Sequence, residues 1–259
     1  MSSSTPSAIS RPHSGMSTGR ILQTAVSVAI LLATLFTGFS PRMFLDTNFN
    51  SEVAQFLNPR PAVNGVIPTP EQVIRIGIVS GHWGHVSGAV CDNGTTEQQV
   101  NLVIASLVRQ KLTALGYQVD LLQEFDPRLV GYDAAALLSI HNDSCQYIND
   151  QATGFKVASA LASRDPNLST RLVSCIRDRY ERITGLPFHP NSITPDMTQY
   201  HAFQEIDPAT TAAIIEAGFL FKDYTILTSH PDVIADGIVK GIVCFVNNEN
   251  VIPEPTITP

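Results

Sequence analysis

Clustered lysine and arginine are missing from this chain, whose formal net charge is −7 over 259 residues. Nucleic-acid binders usually display a basic patch or stripe, so the chain is not read as one. No internal repeat is apparent, so it is not an array of stacked units. Acidic residues are absent from the first twenty positions, MSSSTPSAISRPHSGMSTGR, which are rich in Ser, Thr, Gly and Pro. That composition predicts a disordered tail over residues 1–20.

Strongly polar side chains are then missing from Ile21 to Phe39, apart from Gln23. The run approaches the roughly 20 apolar residues that a helix needs to cross a hydrocarbon core of about 30 Å. Its exit, Thr37-Gly38-Phe39-Ser40-Pro41, lacks a clear small-x-small cleavage site. The expectation is an uncleaved signal anchor over 21–39 rather than a removed signal peptide. Arg11 and Arg20 precede the run without compensating acids, which predicts a cytoplasmic N-terminus and a single-pass protein of the cell membrane. Everything beyond residue 40 is then expected outside the cytoplasm.

Five prolines (Pro41, Pro59, Pro61, Pro68, Pro70) and several asparagines mark residues 40–70 as a linker. The folded domain is expected over 71–248, followed by an unstructured tail over 249–259. Cysteine is scarce, with four in all, and an oxidising compartment would let pairs persist. Cys91 and Cys145 each follow a strand-end histidine, so they are expected to form a disulfide that braces one sheet edge. Cys175 and Cys244 lie in helix-like stretches and read as buried small hydrophobes.

What the domain does hold is an alternation of β-like and helix-like segments. Strands are expected over 75–79, 117–125, 135–140, 154–161 and 212–219, and helices over 97–115, 168–183 and 231–246. This order predicts an α/β fold, a mostly parallel sheet with helices on both faces. A polar stretch rich in proline separates residue 185 from the last strand.

Chemistry-bearing residues stand where these strands end. IRIGIVSGH ends on His82, AALLSIH ends on His141, and TAAIIEAGF carries Glu216. Glu97 opens the helix after the first strand, at the same edge. The carboxyl edge of a parallel sheet is where α/β proteins place their chemistry. Two imidazoles, a carboxylate and a nearby second carboxylate outline a catalytic zinc site: three protein ligands, an open position and a base. Taken singly, His82 also fits a loop histidine, and Glu97 an ordinary acid in a helix's first turn. Glu216 is the sharpest oddity, because an acid inside a buried strand is costly to ionise without partners. Either an ion pair or a catalytic role accounts for it. His85, two loop residues beyond His82, is close enough to compete as a ligand but carries less weight, whereas His189, His201 and His230 lack a strand-end context and read as surface or packing residues.

In order, GH(W)G, a Glu followed by VNL, SIH(N) and E(A)GF resemble the zinc-dependent N-acetylmuramoyl-L-alanine amidases of the amidase-3 type. The resemblance covers residues 74–246. It implies a twisted six-stranded sheet flanked by helices, and one zinc ion on His82, Glu97 and His141. It further implies that Glu216 activates water and passes its proton to the leaving amine. The substrate implied is the amide between N-acetylmuramic acid and L-alanine in peptidoglycan. Val79-Ser80 stands where that family usually has Asp-Pro, Trp83 replaces a common Gly, Asn142 a common Ala, and Phe221-Lys222 a common Ser-Asn. Trp83 and Asn142 are therefore candidate substrate-binding positions, with Trp83 either stacking on substrate or packing its loop. Three other readings compete: a cysteine hydrolase using Cys145 with His141 and Asp143, a membrane-tethered wall-binding module of low activity, and a zinc hydrolase of another amide.

Overall fold

A computed structural model describes residues 73–251. The tail 1–20, the apolar segment 21–39, the linker 40–70 and the tail from residue 252 lie outside the described residues. Among the described residues, no helix is long and apolar enough to cross a membrane.

Five strands form one sheet: β1 (Arg75–Ser80), β2 (Gln118–Leu122), β3 (Ala136–Asp143), β4 (Lys156–Ser159) and β5 (Thr211–Phe219). Their spatial order is β2-β1-β3-β5-β4. The first four are mutually parallel, and β4 closes the edge antiparallel to β5. The helices are α1 (Glu97–Ala114), α2 (Pro166–Thr184), α3 (Pro195–Thr198), α4 (Ala202–Glu205), α5 (Tyr224–Ser229) and α6 (Pro231–Val246).

The six-strand expectation is corrected to five among the described residues. Beyond β4 only a single bridge forms, Phe155 with Phe188. Pro187 and Pro190 flank that point, and a proline has no N–H to extend a ladder. The chain instead turns through a 3-10 turn, Pro190–Ser192, into α3 and α4.

Alternation along the strands sorts side chains onto two faces. Ile76, Ile78, Leu138, Ile140, Ala213 and Ile215 pack with the buried sides of α1, α2 and α6. Val79, Leu137, Ala212 and Ile214 pack instead with Tyr132, Met197, Tyr200 and Phe203. The two covers are thus unequal: three long helices on one face, short helices and loops on the other.

Helix α1 begins where Thr96 and Gln99 cap each other reciprocally. Such a cap fixes the helix start, and so fixes Glu97 in the first turn. Val100, Ile104, Val108 and Leu112 then bury one stripe, each contributing roughly 1.5–3 kcal/mol. Cys175 of α2 and Cys244 of α6 form a disulfide, so the expectation of unpaired buried thiols is corrected. Both are fully buried. Helix spacing alone could not reveal that two such stripes face each other.

Candidate active site

Four adjacent parallel strands each deliver a titratable residue to the same edge. His82 lies two residues past β1, Glu124 two past β2, His141 near the end of β3, and Glu216 within β5. Antiparallel β4 brings Lys156 from its first position, opposite Glu216. His141 and Glu216 are also cross-strand neighbours. By strand alternation they lie on the face of Leu137 and Ile214, and Tyr200 approaches the His141 ring edge-on at 5.6 Å.

Glu97, in the first turn of α1, stands between the imidazoles. Its Oε2 is 3.2 Å from His82 Nε2 and its Oε1 is 3.2 Å from His141 Nδ1. Ligand atoms about 2.0–2.2 Å from a tetrahedral zinc ion are spaced by about 3.3–3.6 Å. His82, Glu97 and His141 therefore have the donor types for one such cation, with both histidine–carboxylate contacts near that spacing and ligand atoms that all lie within 4.8 Å of one another.

Close packing of loop backbone shapes this cluster. His82 adopts φ 65, a left-handed conformation uncommon for a residue with a side chain. The sharp turn after β1 is thus made by His82 itself. Gly81 serves another purpose: a Cβ there would come 2.5 Å from His141 Nδ1 and closer still to Cε1 and Nε2. Gly88, at φ +64, similarly makes room for Glu97 and His82. Ala89 donates its N–H to Glu97 Oε2 at 3.1 Å. The disulfide between Cys91 and Cys145 ties this loop to the chain leaving β3, with Cα atoms 5.1 Å apart. No free cysteine exists among the described residues, so Cys145 offers no thiol to a cysteine hydrolase.

Asn142 is buried, and its side-chain amide donates to Asn101 Oδ1 at 2.7 Å. Its backbone N–H donates to Glu97 Oε1. Asn101, one helical turn beyond Glu97, donates to Glu97 Oε1 and to the Gly81 carbonyl. Asn142 thus orients Glu97 from within the protein. Trp83 is half-buried, and its carbonyl accepts from the Glu124 N–H at 3.1 Å.

The electrostatics suit a bound cation. Burial opposes ionisation of Glu97, but the hydrogen bonds and charges of His141 and His82 outweigh it and hold the carboxyl well below its usual range. Burial would lower His141, yet the Glu97 hydrogen bond and the fields of Glu216, Glu124 and Glu97 raise it. Positive charge is therefore stabilised between the carboxylates. Glu216 behaves oppositely, since burial pushes it up to about 7, with opposing influences from His141 and Glu97. Lys156, ion-paired with Asp143, adds a charge whose effect on Glu216 is countered by its partner. Glu216 Oε2 is buried and without a hydrogen-bond partner.

Sequence reasoning missed Asn101, Glu124, Lys156 and the Tyr200-His201 pair. Asn101 was open to discovery, since residues four apart share a helix face. Glu124 was hidden because the second strand was expected to continue to residue 125, placing the acid within it. His201 joins Glu124 through a long-range contact, Nε2 to Oε1 at 3.1 Å, that no local pattern encodes.

Residues 76–244 match the Amidase_3 family model, described as N-acetylmuramoyl-L-alanine amidase. No curated protein matches the chain by sequence. Among solved structures, an N-acetylmuramoyl-L-alanine amidase from Clostridium difficile 630 is 20% identical, with a TM-score of 0.56, covering 69% of this chain and 99% of that one. The CwlD amidase of Clostridioides difficile, solved in complex with the GerS lipoprotein, is 20% identical with a TM-score of 0.54, over 68% of this chain and all of that one. Ami1 from Mycobacterium smegmatis is 19% identical with a TM-score of 0.52, over 68% and 98% of the two chains. At these identities the structures attest the shared fold. The family match covers well over half of the sequence, and the chain belongs to the Amidase_3 family of N-acetylmuramoyl-L-alanine amidases.

Proposed function

We propose that this amidase hydrolyses the bond between the lactyl group of N-acetylmuramic acid and L-alanine in peptidoglycan, with one zinc ion held by His82, Glu97 and His141. The observation that carries the reading is the convergence of those three side chains beside Glu216, the cross-strand neighbour of His141. When bound, zinc supplies Lewis acidity toward the amide carbonyl and toward water.

Glu216 is the general base and then the general acid. It accepts the proton of the attacking water as the new C–O bond forms. It returns that proton to the alanine nitrogen as the C–N bond breaks. Burial raises Glu216 to about 7 in the metal-free site, and a cation held by the neighbouring ligands would lower it from there. Asn101 and Asn142 keep Glu97 aimed, and the disulfide at Cys91 fixes the loop that packs against it.

Residues 21–39 are proposed to anchor the protein in the cell membrane, with the amidase domain facing the wall. The apolar run and the two disulfides support that placement. Metal analysis of the purified protein tests the site: one zinc per chain is expected, retained in Glu216→Gln while turnover disappears. A wild-type protein with no affinity for zinc would refute the ligand assignment.

A further inference from the structure

Glu124 is a buried acid that the hydrolytic step does not use. Its Oε2 accepts the backbone N–H of His82, and its own N–H donates to the Trp83 carbonyl. The carboxylate thus grips the left-handed turn that carries one metal-binding imidazole. The same Oε2 lies 3.7 Å from Nε2 of His141. That nitrogen is buried and has no hydrogen-bond partner, while Nδ1 of the ring faces Glu97. Behind it, Glu124 Oε1 is held by Tyr200 Oη at 2.9 Å and His201 Nε2 at 3.1 Å. His201 in turn reaches Glu205 at 3.0 Å and stacks on Phe125 with ring centroids 4.1 Å apart.

We infer that Glu124 is the positioning carboxylate of the metal centre, orienting both histidine ligands, and that Tyr200 and His201 aim it. Metal-binding histidines generally direct their second ring nitrogen at a carboxylate, carbonyl or water, and loss of such a partner typically costs 10–100-fold in metal affinity. Glu124 stands beside that nitrogen of His141, 3.7 Å away and short of a formed hydrogen bond, and it accepts the backbone N–H of His82. The segment from α3 to α4, on the thinly covered face of the sheet, thereby becomes part of the metal site. This inference rests on the zinc reading above.

The test is zinc affinity of the whole protein, measured by competition with a chromophoric chelator, together with the visible d–d spectrum of the cobalt(II)-loaded protein. Glu124→Ala should weaken zinc binding by about 10–100-fold and alter the cobalt spectrum. Glu124→Gln retains an oxygen for the His82 N–H, so a smaller loss is expected. Tyr200→Phe leaves the carboxylate but releases its aim, so a loss of a few-fold with a shifted spectrum is expected. Should the alanine variant fail to fold, the near-isosteric Gln and Phe variants carry the same comparison. Zinc affinity within about twofold of wild type in these variants, with an unchanged cobalt spectrum, overturns the role of Glu124 alone. Wild-type protein that binds no zinc overturns the metal-site reading as well.

Discussion

Replacing Gly81 with alanine should disable the site while sparing the fold. The residue has no left-handed φ, so alanine meets no backbone penalty there. Its Cβ, however, would come 2.5 Å from His141 Nδ1 and closer still to two other ring atoms. Relaxed contacts between such atoms lie at about 3.5–4.0 Å. The imidazole must therefore move by about 1 Å, and a displacement of that size can lower turnover about 100-fold. Overpacking costs about 1–3 kcal/mol, partly offset by about 0.4–1 kcal/mol from reduced freedom of the unfolded chain. The protein should thus melt only modestly earlier, yet bind zinc weakly and digest peptidoglycan at least about 100-fold more slowly. Thermal melting, chelator competition and wall digestion on one preparation separate these effects. Turnover and zinc affinity within about twofold of wild type would refute the claim that the His141 ring must sit where the structure places it.

Glu216→Gln should keep zinc affinity near wild type and reduce turnover by about 100- to 10,000-fold, as read by digestion rate at saturating zinc. In chelator, burial raises Glu216 from 4.5 to about 7, so its favourable contribution is full below 4.5 and is lost as pH rises through 7. The loss is at most about 3 kcal/mol, so melts from about pH 4.5 to about pH 8 should show wild type losing stability relative to Glu216→Gln. A pH-independent difference would contradict the burial of that carboxyl. The disulfides close sequence separations of 54 and 69 residues, and removing either by paired Cys→Ala substitution should cost about 2–4 kcal/mol in denaturant melts. Removing the Cys91–Cys145 pair should also lower activity, because it braces the Glu97 loop; unchanged activity would contradict that role.

The sheet and long helices were legible because their patterns are local. The apolar runs of β1, β3 and β5 and the helical stripe of α1 declare themselves within a few residues. His82, Glu97, His141 and Glu216 were legible through strand-end logic, and the structure brings all four to one edge. What stayed hidden depends on tertiary contact. Cys175 meets Cys244 across two helices that sequence spacing cannot orient. Lys156 finds Asp143 only because β4 runs antiparallel. Asn142 looked available to substrate, whereas burial turns its amide inward to Asn101. Tyr200 and His201 come from a stretch whose prolines suppress regular patterning, and they reach the site through Glu124.

Digestion of purified peptidoglycan, followed by identification of the newly exposed amino ends, tests the central claim most directly. The account predicts free L-alanine amines on released stem peptides, lost on chelation and restored by zinc. New ends within the peptide, new reducing sugar ends, or unchanged cleavage in chelator would contradict it.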